Sequence, residues 1–214
     1  MRIVQPSVTL LSYTPEPIKL LEVCGRICYK SEDQITSESA RKFLEMIKNR
    51  HHESVVEHAG ATLHFVCDRG VSHEIVRHRL ASYSQESTRY CNYAKDKFGR
   101  EISVIMPFPK LTNDSTATHR DQVGAWLLAM QQSEASYLAL IDQGVSPQIA
   151  RSVLPTCLKT ELAMTANFRE WKHFLTLRLA PAAHPQMREV AAMARDILIG
   201  IAPDMFQEFA NEGV

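Results

Sequence analysis

The sequence predicts a helix-rich α+β fold with few strands, and three observations carry that prediction. Residues 61–67 and 158–166 alternate apolar and polar side chains in the period of two that half-buried strands require. Several stretches with helical spacing separate them, so the regular strand–helix–strand alternation of a doubly wound parallel sheet is missing. No G-x-G-x-x-G run occurs, so any nucleotide cofactor must be held without a dinucleotide-binding glycine turn.

Taken in order, residues 2–12 predict an edge strand that Pro6 interrupts, since proline has no N–H for a ladder. Ile18, Leu21, Val23 and Ile27 give helical spacing, and Phe43, Leu44 and Ile47 repeat it after a start at Ser37 and Ser39. Within 61–67, Ala61, Leu63, Phe65 and Cys67 take one face; Thr62, His64 and Val66 take the other. A helix is then expected to begin near Ser72 and run on through the arginine–histidine cluster. Gly99, Pro107, Pro109 and Asn113 make 95–115 mainly loop, with a short strand at 102–106. A long helix follows from about Thr116 to Gln143, with Val123, Trp126, Leu127, Met130, Tyr137, Leu138 and Ile141 as its buried stripe. Gly144 closes it. Ser146 and Pro147 suit the cap and first position of a short helix, which must end by Pro155. Leu158, Thr160, Leu162 and Met164 share one side of the second good strand. The last helix, about 185–209, aligns Val190, Met193, Ala194, Ile197, Leu198 and Ile201.

A length of 214 residues suits one domain, or at most two small ones, and no repeat or linker-like segment appears. Lys plus Arg and Asp plus Glu both count 24, giving a formal net charge of zero. A polyanion binder carries a positive excess, so bulk nucleic-acid binding is disfavoured, while a local pocket for one small phosphate ligand is not. Cys24, Cys28, Cys67, Cys91 and Cys157 are odd in number and form no C-x-x-C pair, which reads as reduced, mostly buried thiols. Residues 1–13 lack the basic flank and apolar run of a signal peptide, and no uninterrupted apolar stretch approaches about eighteen residues. The expectation is a soluble cytoplasmic protein with no membrane partner.

The unusual stretch is Arg77-His78-Arg79-Leu80-Ala81-Ser82-Tyr83-Ser84-Gln85-Glu86-Ser87-Thr88-Arg89-Tyr90. It packs three arginines and three serines around a single acidic residue, Glu86. Guanidinium offers a planar, permanently charged fork for phosphate or carboxylate, and serine hydroxyls add short donors. No Ser-His-Asp order or G-x-S-x-G elbow surrounds Ser87, so it reads as a binding hydroxyl and not as a nucleophile.

Arg77-His78-Arg79, seven residues and then Ser87 resembles the R-H-R-x7-S signature of the flavin-dependent thymidylate synthases. Arg89-Tyr90 continues the motif. His52-Glu53-Ser54-x-x-Glu57-His58 upstream is similar to that family's H-E-[ST]-x-x-E-H segment, and Ala150-Arg151-x-x-Leu154-Pro155, Asn167-x-Arg169, Leu177-Arg178 and His184 resemble its later elements. The resemblance implies one domain over residues 1–214, with an antiparallel sheet packed with helices. It implies reductive methylation of dUMP to dTMP, with 5,10-methylenetetrahydrofolate as carbon donor and NADPH-reduced FAD as hydride source. Ser54, Glu57, Arg77, His78, Arg79, Asn167, Arg169, His173 and His184 would border FAD. Glu74, Arg77, Gln85, Glu86, Ser87, Thr88, Arg89, Arg151 and Arg178 would surround dUMP, with Arg178 as the catalytic group beside the uracil. A homotetramer with shared active sites is implied as well. Gln85 stands where some relatives have Glu, Glu74 where others have Gln, and His173 where some have Asn.

A metal-dependent hydrolase is the alternative reading, because His51, His52, Glu53, Glu57 and His58 fall within eight residues. His73-Glu74-Ile75-Val76-Arg77-His78 approaches the H-E-x-x-H zinc pattern with one residue too many. Histidines four apart on a helix lie about 40° from alignment, whereas five apart they are rotated by about 140°. Adjacent arginines repel a cation. No metal is expected.

Overall fold

The computed structural model describes residues 1–108 and 116–212, so Pro109 and Asn113 of the predicted loop lie outside the described residues. Pro6 divides the first extended segment into β1 (Arg2–Val4) and β2 (Ser7–Tyr13), as proline's missing N–H requires. The chain then forms α1 (Pro17–Tyr29), α2 (Ser39–Asn49), β3 (Gly60–Asp68), α3 (Arg69–Ile75), β4 (Ala81–Gln85) and β5 (Ser103–Ile105). It continues through α4 (Ala117–Asp142), α5 (Pro147–Ala150), β6 (Lys159–Asn167), α6 (Phe168–Arg178), α7 (Pro185–Ile201) and α8 (Pro203–Phe206). The 3₁₀ segment Glu53–His58 leads into β3. The result is the helix-rich α+β fold, with a small antiparallel sheet of order β2-β3-β6-β4. No helix among the described residues is long and apolar enough to cross a membrane.

Contacts divide the chain into two compact units. The first comprises Met1–Pro6, Val66–His73 and Gln85–Glu161. There β1 pairs in parallel with β5, Ile3 opposite Val104. Ile102, Val104, Tyr137, Ala150, Leu158 and Tyr93 form its buried cluster. Of the predicted α4 stripe, Val123 and Tyr137 are buried; the rest is half-buried, because a 26-residue helix is longer than the cluster it covers. Gly144 at φ +84° ends that helix in the left-handed region where glycine carries no steric cost.

The second unit comprises Ser7–Phe65, Glu74–Ser84 and Leu162–Val214. Its core is aromatic: Trp171, Phe65, Phe168, Phe174 and Phe206 are fully buried. Trp171 stacks on Phe65 at 6.3 Å, and its Nε1–H donates to the Ala61 carbonyl at 3.1 Å, satisfying the one polar group the ring brings inside. Gly60 lies so close to the end of β6 that a Cβ there would meet the Ala166 carbonyl oxygen at 2.7 Å. In α1, Leu21 is buried while Val23 and Ile27 are exposed.

Three expectations change. The helix predicted to begin near Ser72 and run through the arginine–histidine cluster begins earlier and stops at Ile75, with the Arg77 and His78 amides closing a turn on the Glu74 and Ile75 carbonyls. Residues 81–85 are a strand: Ala81, Tyr83 and Gln85 are half-buried, Ser82 and Ser84 exposed, and ladder pairing beside β6 outweighs a weak helical tendency. The last helix is interrupted at Pro203, which cannot donate to the ladder, so α8 restarts after Ala202. Helix α6 was not foreseen, although its signal is present. Asn167 accepts from the Glu170 amide at 2.9 Å as an N-cap, and Phe168, Trp171, Phe174 and Leu175 supply a buried stripe.

Candidate functional site

Within the second unit, a cavity of about 540 Å³ opens beside the 3₁₀ segment and the start of α6. That is a ligand-sized volume. Val56 and Leu80 give it apolar walls, and Glu57, Asn167, Arg169 and His173 give it polar ones. Arg169 is positioned by the first turn of α6 and by two carboxylates: Nε lies 3.2 Å from Glu53, and Nη1 donates to Glu57. The hydrogen bond to Glu57 raises its already high pKa, so it is a permanent cation held at the rim.

Next to this cavity, and in the same unit, runs a chain of polar contacts, buried at His78 and Glu170 and half-buried at Arg178 and Glu74. Arg178, at the last turn of α6, sends Nη1 to Glu74 Oε2 at 2.9 Å and Nη2 to the Glu74 carbonyl at 2.8 Å. Its Nε faces His78 Nε2 at 3.1 Å, and His78 Nδ1 faces Glu170 Oε1 at 2.9 Å. Guanidinium has no acceptor, so Arg178 must donate and His78 Nε2 must carry a lone pair. The ring's single proton therefore sits on Nδ1 and is donated to Glu170. Burial lowers the His78 pKa below 6.5, outweighing the Glu170 hydrogen bond that raises it; Arg178 adds to the lowering. His78 is neutral here.

Among the described residues, the His and carboxylate donors that come within reach of one ion are His78, Glu170 and His173. With its only proton on Nδ1 and Arg178 on Nε2, His78 has no free lone pair to give. The 51–58 cluster is spent otherwise: Tyr29 Oη lies 2.7 Å from His52 Nδ1, while Glu53 and Glu57 hold Arg169.

Within the first unit lies a second cavity of about 540 Å³. Arg69, His73, Thr88, Arg151 and Ser152 line it, and no lining residue is acidic. Arg151 Nη1 donates to the buried Thr88 hydroxyl at 3.2 Å. The Ser87 hydroxyl accepts from the Arg89 amide at 3.3 Å, turning the chain, and the Arg89 guanidinium lies 5.5 Å over the Tyr90 ring. Gln85 donates to the hydroxyls of Ser72 at 2.8 Å and Thr160 at 3.2 Å. Glu86 accepts from Tyr93 and from Lys159, each at 2.9 Å. Burial pushes the Tyr93 hydroxyl pKa up, and Glu86 adds to it, so that donor stays protonated.

Four of the residues that the resemblance assigns to FAD therefore line the first cavity: Glu57, Asn167, Arg169 and His173. His78 touches His173 edge-on at 5.4 Å between ring centres. Ser54, Arg77, Arg79 and His184 are exposed and line neither cavity; His184 serves as the cap position of α7. Thr88 and Arg151 line the second cavity; Glu74 is committed to Arg178, so its carboxylate is neutralised. Sequence reasoning missed Glu170, whose burial at 6% exposure follows from a helix that went unread, and Arg69 with His73, which stand outside the arginine-rich run.

A family model described as "Thymidylate synthase complementing protein" matches residues 9–204. The flavin-dependent thymidylate synthase of Geobacter sulfurreducens is 34% identical over 208 residues, covering 94% of this chain and 85% of that one. That of Pyrococcus furiosus is 35% identical over 191 residues, covering 86% and 75%. Among solved structures, the UMP/dUMP methylase PolB from Streptomyces cacaoi bound with 5-Br dUMP superposes with a TM-score of 0.82, covering 100% of this chain and 98% of that one, at 23% identity. At that identity the likeness establishes the fold.

Proposed function

Because the chain belongs to the flavin-dependent thymidylate synthases, we propose that it methylates dUMP to dTMP, taking the carbon from 5,10-methylenetetrahydrofolate and reducing equivalents from NADPH through FAD. The observation that carries this reading is the acid-free cationic cavity of Arg69, His73, Thr88 and Arg151 in a chain of zero net charge. A phosphate monoester is the ligand such a set recognises, by charge-assisted hydrogen bonds from fixed guanidinium groups. Ser87, Thr88, Arg89 and Arg151 are assigned to the phosphate; Glu74, Arg77, Gln85, Glu86 and Arg178 to the rest of dUMP. Arg178 is the catalytic residue, a preorganised cation that stabilises negative charge as it builds on the uracil ring.

The cavity lined by Glu57, Asn167, Arg169 and His173 has the size and the mixed apolar and polar walls that suit a flavin; Ser54, Arg77, His78, Arg79 and His184 are assigned to the cofactor by the sequence motifs. FAD supplies the hydride chemistry that no side chain here can perform. The chain acts as one domain over residues 1–214, a reading supported by the family match across 9–204. It works as a homotetramer with shared active sites, which would cover Leu11, Val23 and Ile27, now 57%, 41% and 51% exposed. Five free cysteines support action in the cytoplasm.

Expression in a bacterium deleted for its own thymidylate synthase tests the reading. Growth without thymidine is expected from the wild-type chain and not from Arg178→Ala. Equal failure of both, with soluble flavin-loaded protein present, would contradict it.

A further inference from the structure

The contacts around Arg178 are uneven in kind. Glu74 holds Nη1 and Nη2 from one side, two contacts on a single edge of the guanidinium plane. The third contact, Nε to His78 Nε2, fixes that plane. It works only while the imidazole presents a lone pair there, which places the ring proton on Nδ1 and requires an acceptor beyond it. Glu170 is that acceptor, buried at 6% exposure and 2.9 Å away. The backbone under the imidazole is held separately: the Tyr83 hydroxyl donates to the carbonyls of Ile75 and His78, at 3.0 and 2.5 Å. The Phe174 and His173 rings pack against the imidazole at 5.1 and 5.4 Å, which leaves the choice of tautomer to Glu170.

We infer that Glu170 is a positioning residue, which orients the Arg178 guanidinium by holding His78 as the neutral ring protonated on Nδ1. Its consequence for turnover rests on the function proposed above; the tautomer itself does not. The motifs assign Glu170 to neither FAD nor dUMP, although it also borders the first cavity; the arrangement resembles the outer carboxylates that fix histidine tautomers around metal centres, with a guanidinium in place of the ion. The charged and titratable groups facing His78 are Glu170 and His173 from α6, Arg178 at its end with Glu74 of α3 behind it, and Tyr83 of β4. An imidazolium cannot accept from Arg178, so acid should uncouple the pair. Glu170 acts to raise the His78 pKa. Removing its charge therefore moves that uncoupling to lower pH.

The test uses the flavin-loaded enzyme and two variants. Glu170→Leu removes the acceptor and should lower kcat by about 100-fold, the scale of a misoriented catalytic group. Glu170→Gln keeps an acceptor oxygen and should stay within about tenfold of wild type, with the acid limb of its kcat profile shifted to lower pH. Nitrogen-15 shifts of labelled histidine should show His78 protonated on Nδ1 and bare on Nε2 in wild type and Glu170→Gln. A wild-type kcat in Glu170→Leu, an acid limb unmoved in Glu170→Gln, or a proton found on Nε2 would each overturn the inference. If Glu170→Leu does not fold, Glu170→Gln decides alone. If the wild-type enzyme makes no dTMP, the functional reading fails, and the nitrogen-15 shifts still judge the relay.

Discussion

Replacing Arg178 by lysine keeps the charge and removes the geometry. In the native protein three donors reach three acceptors: His78 Nε2 at 3.1 Å, Glu74 Oε2 at 2.9 Å and the Glu74 carbonyl at 2.8 Å. An ammonium on a flexible stem can serve the Glu74 carboxylate but not the other two at once. The site is only 16% exposed on the arginine side, so water does not readily replace what is lost. The Glu74 carbonyl keeps the Arg77 amide, so His78 Nε2 is the stranded acceptor, at a cost of about 1–3 kcal/mol, which for a chain of this size lowers Tm by about 2–12 °C. The effect on chemistry should be larger in proportion. Loss of one preorganised donor aimed at developing charge costs about 10²–10³-fold in kcat, or about 2.7–4 kcal/mol. The assay is dTMP formation under saturating substrates, beside differential scanning of flavin-loaded protein. Flavin absorbance should be retained. An Arg178→Lys enzyme with wild-type kcat refutes the argument, because charge alone would then suffice.

Other expectations follow from the same geometry. Arg151→Ala removes a cation from the acid-free cavity and leaves Thr88 without its partner, so KM for dUMP should rise more than about tenfold with kcat changed little; an unchanged KM argues against a phosphate there. The folded-state pKa of His78 lies below its ordinary 6.5, so on acidification the unfolded chain binds the proton first. The stability His78 contributes is complete above pH 6.5 and declines as pH falls below it; urea denaturation should show this slope, and a His78→Gln variant should flatten it. Trp171→Phe removes the indole hydrogen bond to the Ala61 carbonyl and leaves a void, for a loss of about 2–4 kcal/mol measurable in the same way. Burial pushes the Cys67 thiol up to about 12, with Asp68 adding to it, so a maleimide at neutral pH should label exposed Cys28 and spare Cys67 until the protein unfolds.

How much of this was legible beforehand depends on whether the signal was local. The alternation of Ala61, Leu63, Phe65 and Cys67, and of Leu158, Thr160, Leu162 and Met164, predicted two strands because each needs one buried face, and all eight side chains are buried. Residues 81–85 misled because Ser82, Ser84 and Gln85 carry no strong strand propensity to set beside Tyr83; a partner strand decided their state. Thr88 and Arg151 were named from motifs, yet the hydrogen bond that joins them spans 63 residues and no spacing rule could have found it. Glu74 is the instructive case. As a carboxylate in an arginine-rich region it looked out of place, and its role became plain only with Arg178, 104 residues away, folded against it. Glu170 lay within a readable N-x-x-E cap but points at a histidine 92 positions earlier.

The most direct measurement supplies purified flavin-loaded protein with dUMP, NADPH and methylenetetrahydrofolate carrying carbon-13 in its methylene group, then reads the label by mass spectrometry. dTMP bearing one carbon-13 in its 5-methyl group should accumulate over many turnovers, and should vanish when FAD is stripped. Unaltered dUMP in the complete mixture, from folded protein whose flavin is bound and reduced, would contradict the assignment of thymidylate synthesis to this chain.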